Sequence, residues 1–419
     1  MDFIKPFQTE TPDEGSLIIV VNSTLGPIPV ENAFVTVSYN EDSTNIIQNL
    51  TTDSSGRTKV IFLPAPPLEY SLTPNEPRPY SEYEVTVSAE GYETVVVNGT
   101  EILPTQFAIL TVKMPPLEFP NEPAQNVNIP EHTLYGSYPP KIPEDEIKPL
   151  PDTGEIVLSR VVIPEYIIVH DGVPSDTSAQ NYYVTYKDYI KNVASCEIYS
   201  TWPESSIYAN ILAIMSFTLN RVYTEWYRNQ GYNFTITSST AYDQKWIYGR
   251  NIYSNIDYLV DSIFNNYLSR PGVRQPLLTA YCDGNRTTCD GLSQWGSKFL
   301  GDDGYTAIEI LRSYYGDDIY INSASTVSGI PSSFPGYNLT VGSSGEKVRQ
   351  IQEQLIRISQ NYPLIPTITA DGIYGPKTEN AVKVFQETFN IPPSGVVDFP
   401  TWYEISEIYV GVSRIAEPI

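Results

Sequence analysis

The chain has 419 residues, and 49 acidic side chains against 25 basic ones give it a formal net charge of −24 at pH 7. A polyphosphate partner needs a basic face, so this charge argues against nucleic acid binding. No apolar run approaches the roughly 20 residues that cross a bilayer, which favours a soluble protein without a membrane partner.

Length and residue usage narrow the possible domain organisation and ligands further. Domains of roughly 100 to 200 residues predict two to four units. Three cysteines cannot form a disulfide framework, and two histidines argue against His-rich metal sites, so no cofactor is expected. The 32 tyrosines suit a neutral, hydroxyl-rich ligand such as a glycan, although packing explains most of them. The start, MDFIKPFQTETPDEG, lacks the features of a secretory signal peptide.

Residues 1–114 are predicted to form an all-β sandwich. Alternating runs such as SLIIVVN, AFVTVSY, YEVTVSA and FAILTVK follow one another with turn signals between several of them. Roughly seven short strands in about 100 residues are typical of a sandwich. Through VENAFVTV, TTDSSGRTKV and YEVTVSAEGYET, the segment resembles carboxypeptidase-regulatory or transthyretin-like modules, which implies a non-catalytic role.

Residues 115–151 form a proline-rich segment that we call the strap. It has ten prolines in 37 positions. Because proline lacks a backbone donor, we expect a linker without regular elements. Exposed, extended backbone is also where proteases cut, so the strap is the expected processing site.

Residues 152–324 mix strand-like and helical patterns and predict an α+β unit. A first helix opens with a capping box of Thr185 and Asp188. Glu197 follows Ile190 by seven residues, which places this carboxylate on the apolar stripe of the helix.

A second helix is expected directly after the first. Thr201 and Glu204 have the spacing of another capping box, with Pro203 in the first turn. The pattern then runs through SSIYANILAIMSFTLNRVYTEWYRNQ to Gly231, the expected C-cap. Its broad apolar face predicts a central core helix.

The chain ends in a linker, residues 325–338, and a predicted three-helix unit, residues 339–419. The stretches VRQIQEQLI, DGIYGPKTENAVKVFQ and SGVVDFPTW resemble the peptidoglycan-binding three-helix domain of cell-wall enzymes. This resemblance implies peptidoglycan as a partner.

The central unit resembles the SpoIID family of peptidoglycan lytic transglycosylases. The stretches that carry the resemblance are YIKNVASCEIYSTWP, ITSSTAYDQKWIYGR and DGLSQWGSKFLGDDGYTAIEILRSYYGD. In that family the glutamate five positions before the tryptophan of the WP step is the catalytic acid, which implies this role for Glu197. Asn210 and Met215 depart from the family pattern, where glutamine and arginine are common.

The chemistry of such a reaction fits a single acid. Lytic cleavage between MurNAc and GlcNAc needs one carboxylic acid that protonates the leaving oxygen and then accepts the proton of the sugar's C6 hydroxyl. An apolar setting would keep Glu197 protonated. Two alternatives are a solvated Glu197 at a frayed helix end and a nucleophilic Cys196 with His170 as its base, although no oxyanion signature accompanies the cysteine.

Polar side chains in two loops are candidates for substrate binding. Their donors and acceptors suit N-acetyl groups and hydroxyls, and structural hydrogen bonding would explain them equally well. The candidates are Tyr242, Asp243, Gln244, Ser293 and Gln294. Cys282 and Cys289 lie close together in the sequence and are weak candidates for a zinc site. A disulfide between them and two free thiols are the alternative interpretations.

The order of sandwich, strap, SpoIID-like unit and peptidoglycan-binding unit is similar to that of SleC-type spore cortex-lytic enzymes. That family implies cortex lysis during germination, location at the spore cortex or its boundary with the coat, and a zymogen activated by a subtilisin-like germination protease. The sandwich would then be a propeptide, with the cut between Phe119 and Val127. The rival hypotheses are a non-catalytic amidase enhancer and a vegetative-wall or phage-type lytic enzyme.

Overall fold

The computed structural model describes residues 13–40, 42–117, 124–148, 160–330 and 332–414. Phe119, the N-terminal limit of the expected cut, lies outside the described residues. The mixed α+β fold class with a helical C-terminal unit is confirmed.

Residues 13–114 form two packed sheets. Their strands are β1 (Asp13–Ser23), β2 (Phe34–Tyr39), β3 (Asp42–Thr51), β4 (Ile61–Ala65), β5 (Ser81–Ser88), β6 (Val95–Ile102) and β7 (Phe107–Met114). One sheet contains β3-β2-β5-β6 and the other contains β7-β1-β4. Alternation along the strands buries one face of each sheet, as Leu17 and Ile19 of β1 and Val35 and Val37 of β2 show.

The strap adds one strand to this sandwich. β8 (Gln125–Asn128) pairs in parallel with β6, and its Val127 is buried. The expectation of a strap without regular elements is therefore wrong here. The local reason is a run without proline, residues 124–129, whose N–H groups are free to join a sheet edge.

The described residues of the central unit combine short strands with five α-helices. In chain order these are β9 (Val162–Ile163), β10 (Tyr166–His170), β11 (Asn181–Thr185), α1 (Tyr186–Glu197), α2 (Glu204–Tyr223), β12 (Ile236–Thr237), β13 (Ile252–Tyr253), α3 (Ser254–Ile263), β14 (Asn266–Ser269), β15 (Tyr281–Cys282), β16 (Leu292–Ser293), α4 (Gln294–Asp302), α5 (Ala307–Tyr315), β17 (Tyr320–Ser323) and β18 (Thr326–Val327). β18 lies within the expected linker and pairs with β9. α2 is buried along most of its length, as its apolar face predicts.

The caps of α1 and α2 differ from each other. The Thr185 side chain accepts a hydrogen bond from the Asp188 N–H, which confirms the N-cap half of the predicted capping box. The capping box of α2 is wrong, because Pro203 is the N-cap and the Thr201 hydroxyl donates to Ser71 of the sandwich at 2.8 Å. A tertiary contact has replaced the local cap.

The end of α2 also differs from the prediction. The helix stops at Tyr223, eight residues before the expected C-cap. Gly231 instead ends a short 3-10 helix, Arg228–Gln230, with φ of 87° in the left-handed region that glycine tolerates.

The sandwich and the central unit are physically joined. β13 of the central unit pairs with β7, which extends a sandwich sheet to the order β13-β7-β1-β4. Next to it, the Arg250 guanidinium group forms an ion pair with the Glu101 carboxylate at 2.7 Å, and both side chains are only 1% exposed. A cut in the strap would therefore leave the two units packed together through this interface.

The C-terminal unit contains α6 (Glu346–Ser359), α7 (Pro376–Thr388) and α8 (Phe399–Arg414). The amide of Gln352 on α6 accepts from the Gly372 N–H and donates to Thr378, which ties the turn before α7 to α6. Gly372 has φ of 76°, so the turn requires glycine there.

Buried ion pairs connect α1 to this C-terminal unit. The Lys187 amine contacts Asp261 of α3 at 3.3 Å and also contacts Glu404 and Glu407 of α8. One turn further, Lys191 contacts Asp257 and Asp261. The helix that ends at Glu197 is thus fixed to both α3 and α8.

Replacing Arg250 by Met tests the joint between the sandwich and the central unit. The change leaves the Glu101 carboxylate buried without its cation, which should lower the free energy of unfolding by about 3 to 5 kcal/mol. Urea unfolding measures the loss. Arg78→Met is the matched control, because Arg78 pairs with Glu82 but is 41% exposed and should cost less than about 1 kcal/mol. Similar losses in both variants would contradict this account of the joint.

Candidate active site around Glu197

Glu197 is the last residue of α1 and is only 5% exposed. The preceding turns bury Ile190 and Val193 completely, so the apolar stripe predicted from the sequence carries the carboxyl group into the core. The alternative of a frayed, solvated helix end is wrong. The carboxyl group nevertheless lines a cavity, which gives it one open side.

Four donors surround the Glu197 carboxyl group. The Lys245 N–H donates to Oε1 at 2.8 Å, and the Tyr281 hydroxyl lies 3.5 Å from the same oxygen. Gln294 Nε2 donates to Oε2 at 3.2 Å and to the Glu197 carbonyl at 2.9 Å. The Thr133 hydroxyl lies 3.4 Å from Oε2. These contacts fix the orientation of the carboxyl group.

Burial raises the pKa of Glu197 above its ordinary value. The hydrogen bonds from Lys245, Gln294 and Thr133 and the positive charge of Lys141 act in the opposite direction, because they stabilise the carboxylate. Desolvation is the larger effect. The group is thus held toward its protonated form while it remains able to carry a charge.

The cavity beside Glu197 has a volume of about 300 Å³. Strap residues form one wall, and the segment from Tyr281 to Thr287 forms another. The lining side chains that offer polar groups or aromatic faces include Thr133, Tyr138, Lys141, Thr240, Tyr281 and Gln294. Hydroxyls, an amide and aromatic rings together suit a carbohydrate ligand.

Of the five proposed substrate-binding residues, the structure brings Gln294 to the Glu197 carboxyl group. Asp243 also lines the cavity, but its carboxylate accepts from Arg221 at 2.7 Å and from Tyr227 at 2.6 Å. Its charge is therefore already matched inside the fold.

The other three proposed residues lie elsewhere. Gln244 is fully buried, and its amide bonds to Tyr189, to Thr218 and to the Ile214 carbonyl. Ser293 is the N-cap of α4 and accepts from the Gly296 N–H. Tyr242 is outside the cavity lining. These contacts favour structural roles for Gln244 and Ser293.

Cys282 and Cys289 form a disulfide, which closes the loop between β15 and β16. They are therefore unavailable as thiolate ligands, and no cluster of three or more potential metal ligands occurs among the described residues. Burial raises the pKa of the third cysteine, Cys196, to about 12. The hypothesis of a nucleophilic Cys196 is therefore disfavoured, because the thiolate is the reactive form. His170 is engaged with Asn181 and the Val173 carbonyl.

Several residues at this site have no counterpart in the sequence prediction. Thr133 and Lys141 belong to the strap, Tyr281 lies in β15, and Arg286 belongs to the loop closed by the disulfide. Their positions depend on how the strap crosses the central unit. No local spacing or periodicity signals such a long-range contact.

Comparisons with known proteins point to the cell wall. Residues 344–405 match the model of a family described as "Putative peptidoglycan binding domain". The C-terminal unit is similar to that family. The match supports peptidoglycan as a partner and a role related to the cell wall. No curated protein matches the chain.

Solved structures share only short parts of the chain. The SleB N-terminal domain is 30% identical, with 17% of this chain and 93% of that one covered and a TM-score of 0.15. The Bacillus anthracis TIE protein is 21% identical, and the match covers 25% of this chain and 17% of that protein with a TM-score of 0.19. GBS52, the minor pilin of Streptococcus agalactiae, is 14% identical, and the match covers 27% of this chain and 50% of that protein with a TM-score of 0.19.

None of the helices in the described ranges has both the length and the apolar character needed to cross a bilayer.

Replacing Glu197 by Gln should stabilise the protein at neutral and alkaline pH. A carboxyl group whose pKa is raised by folding contributes its full stability below its unfolded pKa, and that contribution is lost as the pH rises through the folded pKa. Glutamine cannot ionise, so the variant should gain about 1.4 kcal/mol over the wild type for each unit of the pKa shift. Thermal unfolding between pH 4 and pH 8 checks this. A stability difference between Glu197→Gln and the wild type that stays constant across that pH range would contradict the raised pKa.

Proposed function

We propose that this chain cleaves the glycan strands of peptidoglycan between MurNAc and GlcNAc without water, with Glu197 as general acid and then general base. The observation that carries the proposal is the Glu197 carboxyl group itself. It is buried, its pKa is raised, and it faces a cavity lined by polar and aromatic groups. A protonated carboxyl group in such a place is suited to proton donation.

The reaction requires two proton transfers on one carboxyl group. Protonated Glu197 donates to the glycosidic oxygen, and the bond from this oxygen to C1 of MurNAc breaks. The resulting Glu197 carboxylate then takes the proton of the C6 hydroxyl as O6 bonds to C1, which yields a 1,6-anhydro end. Glu197 returns to its protonated form, so no water and no second carboxylate are consumed.

The environment of Glu197 supports both halves of this cycle. Burial favours the acid before bond cleavage. The Lys245 N–H and the Gln294 amide stabilise the carboxylate that forms afterwards. A group that is only desolvated would serve the first step alone.

We further propose the spore cortex as the substrate and the intact chain as a zymogen. Both rest on the resemblance to SleC-type enzymes. The position of the strap supports the zymogen proposal, because the strap forms a wall of the cavity and places the Thr133 hydroxyl within 3.4 Å of Glu197. A polymer needs an open groove to reach an acid that is 5% exposed here.

The position of the expected protease site determines which part of the strap a cut would release. A cut between Phe119 and Val127 would leave the part of the strap that follows it, including Thr133 and Lys141, covalently attached to the central unit. The cut alone would therefore not expose Glu197, because access requires this part of the strap to move away.

Glu197→Gln should abolish glycan cleavage in the activated protein. Loss of a general acid reduces the rate by at least about 100-fold. Purified cortex peptidoglycan is digested, and 1,6-anhydro-muropeptides are quantified by mass spectrometry. Glu204→Gln is the matched control, since Glu204 is an exposed glutamate at the start of the next helix.

Equal yields from Glu197→Gln and the wild type would remove Glu197 from this role. If neither protein releases anhydro ends but both increase the activity of an added amidase, the chain is a non-catalytic enhancer. Preference for vegetative walls over cortex would instead favour a vegetative or phage-type lytic enzyme.

A further inference from the structure

The strap crosses directly over the end of α1. The N–H and the hydroxyl of Thr133 both donate to the carbonyl of Cys196, at 3.2 and 2.7 Å. Further along, the Lys141 amine contacts the Asp243 carbonyl, and the Ile142 N–H donates to the Ala241 carbonyl at 2.7 Å. Residues 131–142, which we call the lid, therefore lie across the cavity between these two attachment points.

One side chain holds the middle of the lid. Arg286 Nη1 donates to the carbonyls of Tyr135 at 2.7 Å and Gly136 at 2.6 Å, and Nη2 donates to the carbonyl of Thr133 at 2.7 Å. Three backbone carbonyls within four residues thus converge on one guanidinium group. Its planar fork suits several acceptors at once, and each bond is charge-assisted.

Arg286 is itself anchored. It lies in the loop closed by the disulfide between Cys282 and Cys289. The Asp283 carboxylate accepts from Arg286 Nε at 3.2 Å and from the N–H groups of Arg286 and Thr287 at 3.1 and 2.8 Å. The loop therefore presents the guanidinium group to the lid from a fixed base.

The strap beyond the lid has separate anchors. Glu144 pairs with Arg221 at 2.5 Å, and Glu146 pairs with Arg270 at 2.6 Å. These contacts do not involve Arg286. Opening of the lid from residue 133 onward would leave these contacts and the fully buried His132 in place.

From this geometry we propose that Arg286 is a latch that holds the lid closed across the Glu197 cavity. Release of the latch opens the cavity to a glycan strand. The claim that an open lid admits a glycan strand rests on the proposed function, whereas the claim that Arg286 holds the lid closed concerns the lid alone. The Arg286 side chain is 38% exposed, so the latch lies at the surface.

Hydrogen exchange of the intact chain tests the latch. The variants are Arg286→Gln, which removes the cation, and Arg286→Lys, which keeps the charge but cannot reach three carbonyls in the same way. Arg312→Gln is the control, because Arg312 donates to a single backbone carbonyl, that of Ile319. Peptides that cover residues 131–142 are followed by mass spectrometry.

The lid amides should exchange on the order of 10- to 100-fold faster in Arg286→Gln, since bonds to a charged donor are lost. Arg286→Lys should give a smaller increase, and Arg312→Gln should match the wild type in this segment. Unchanged exchange of the lid in a folded Arg286→Gln would overturn the latch. If that variant does not fold, Arg286→Lys decides the question by the same criterion.

Release of 1,6-anhydro ends from purified peptidoglycan by the same intact proteins tests the consequence. Arg286→Gln should release at least about 10-fold more than the intact wild type, and the double variant with Glu197→Gln should release none. Faster lid exchange without product from any variant leaves the latch standing and defeats the proposed activity. Product release without faster lid exchange would overturn the latch.

Discussion

The candidate site is organised around one constraint, the burial of a single carboxyl group. Glu197 is placed in the core by the apolar stripe of α1, and its desolvation raises its pKa. It also ends a helix, where unpaired carbonyl groups disfavour a negative charge. The donors from Lys245, Gln294 and Thr133 make this burial tolerable, because they satisfy the oxygens without removing the tendency to bind a proton.

The position of α1 follows from contacts with α3, with the C-terminal unit and with the strap. Its first turns are fixed by Lys187 and Lys191 to carboxylates of α3 and α8, and its last turn is covered by the lid. The C-terminal unit, which is similar to peptidoglycan-binding domains, therefore contacts the same helix that carries Glu197. The C-terminal unit and the Glu197 carboxyl group are thus connected through one helix.

The sequence predicted features that depend on local periodicity. The placement of Glu197 on an apolar stripe and the Thr185 cap of α1 followed from spacing, because helix geometry alone determines them. The α2 cap failed because Thr201 bonds to Ser71 in another unit. The lid and Arg286 were beyond prediction for a similar reason: the guanidinium group binds backbone carbonyls, which every residue has, so side-chain identity gives no signal. Gln244 had the right chemistry, but the fold directs it into the core.

The central claim is that burial raises the pKa of Glu197 above that of an ordinary glutamate. The most direct measurement is a carbon-13 NMR titration of the glutamate carboxyl groups in the intact chain, with the Glu197 signal assigned by its absence from Glu197→Gln. A titration midpoint above the ordinary value for glutamate is predicted. A midpoint at or below that value would contradict the account, because the donors around the carboxyl group would then outweigh its burial.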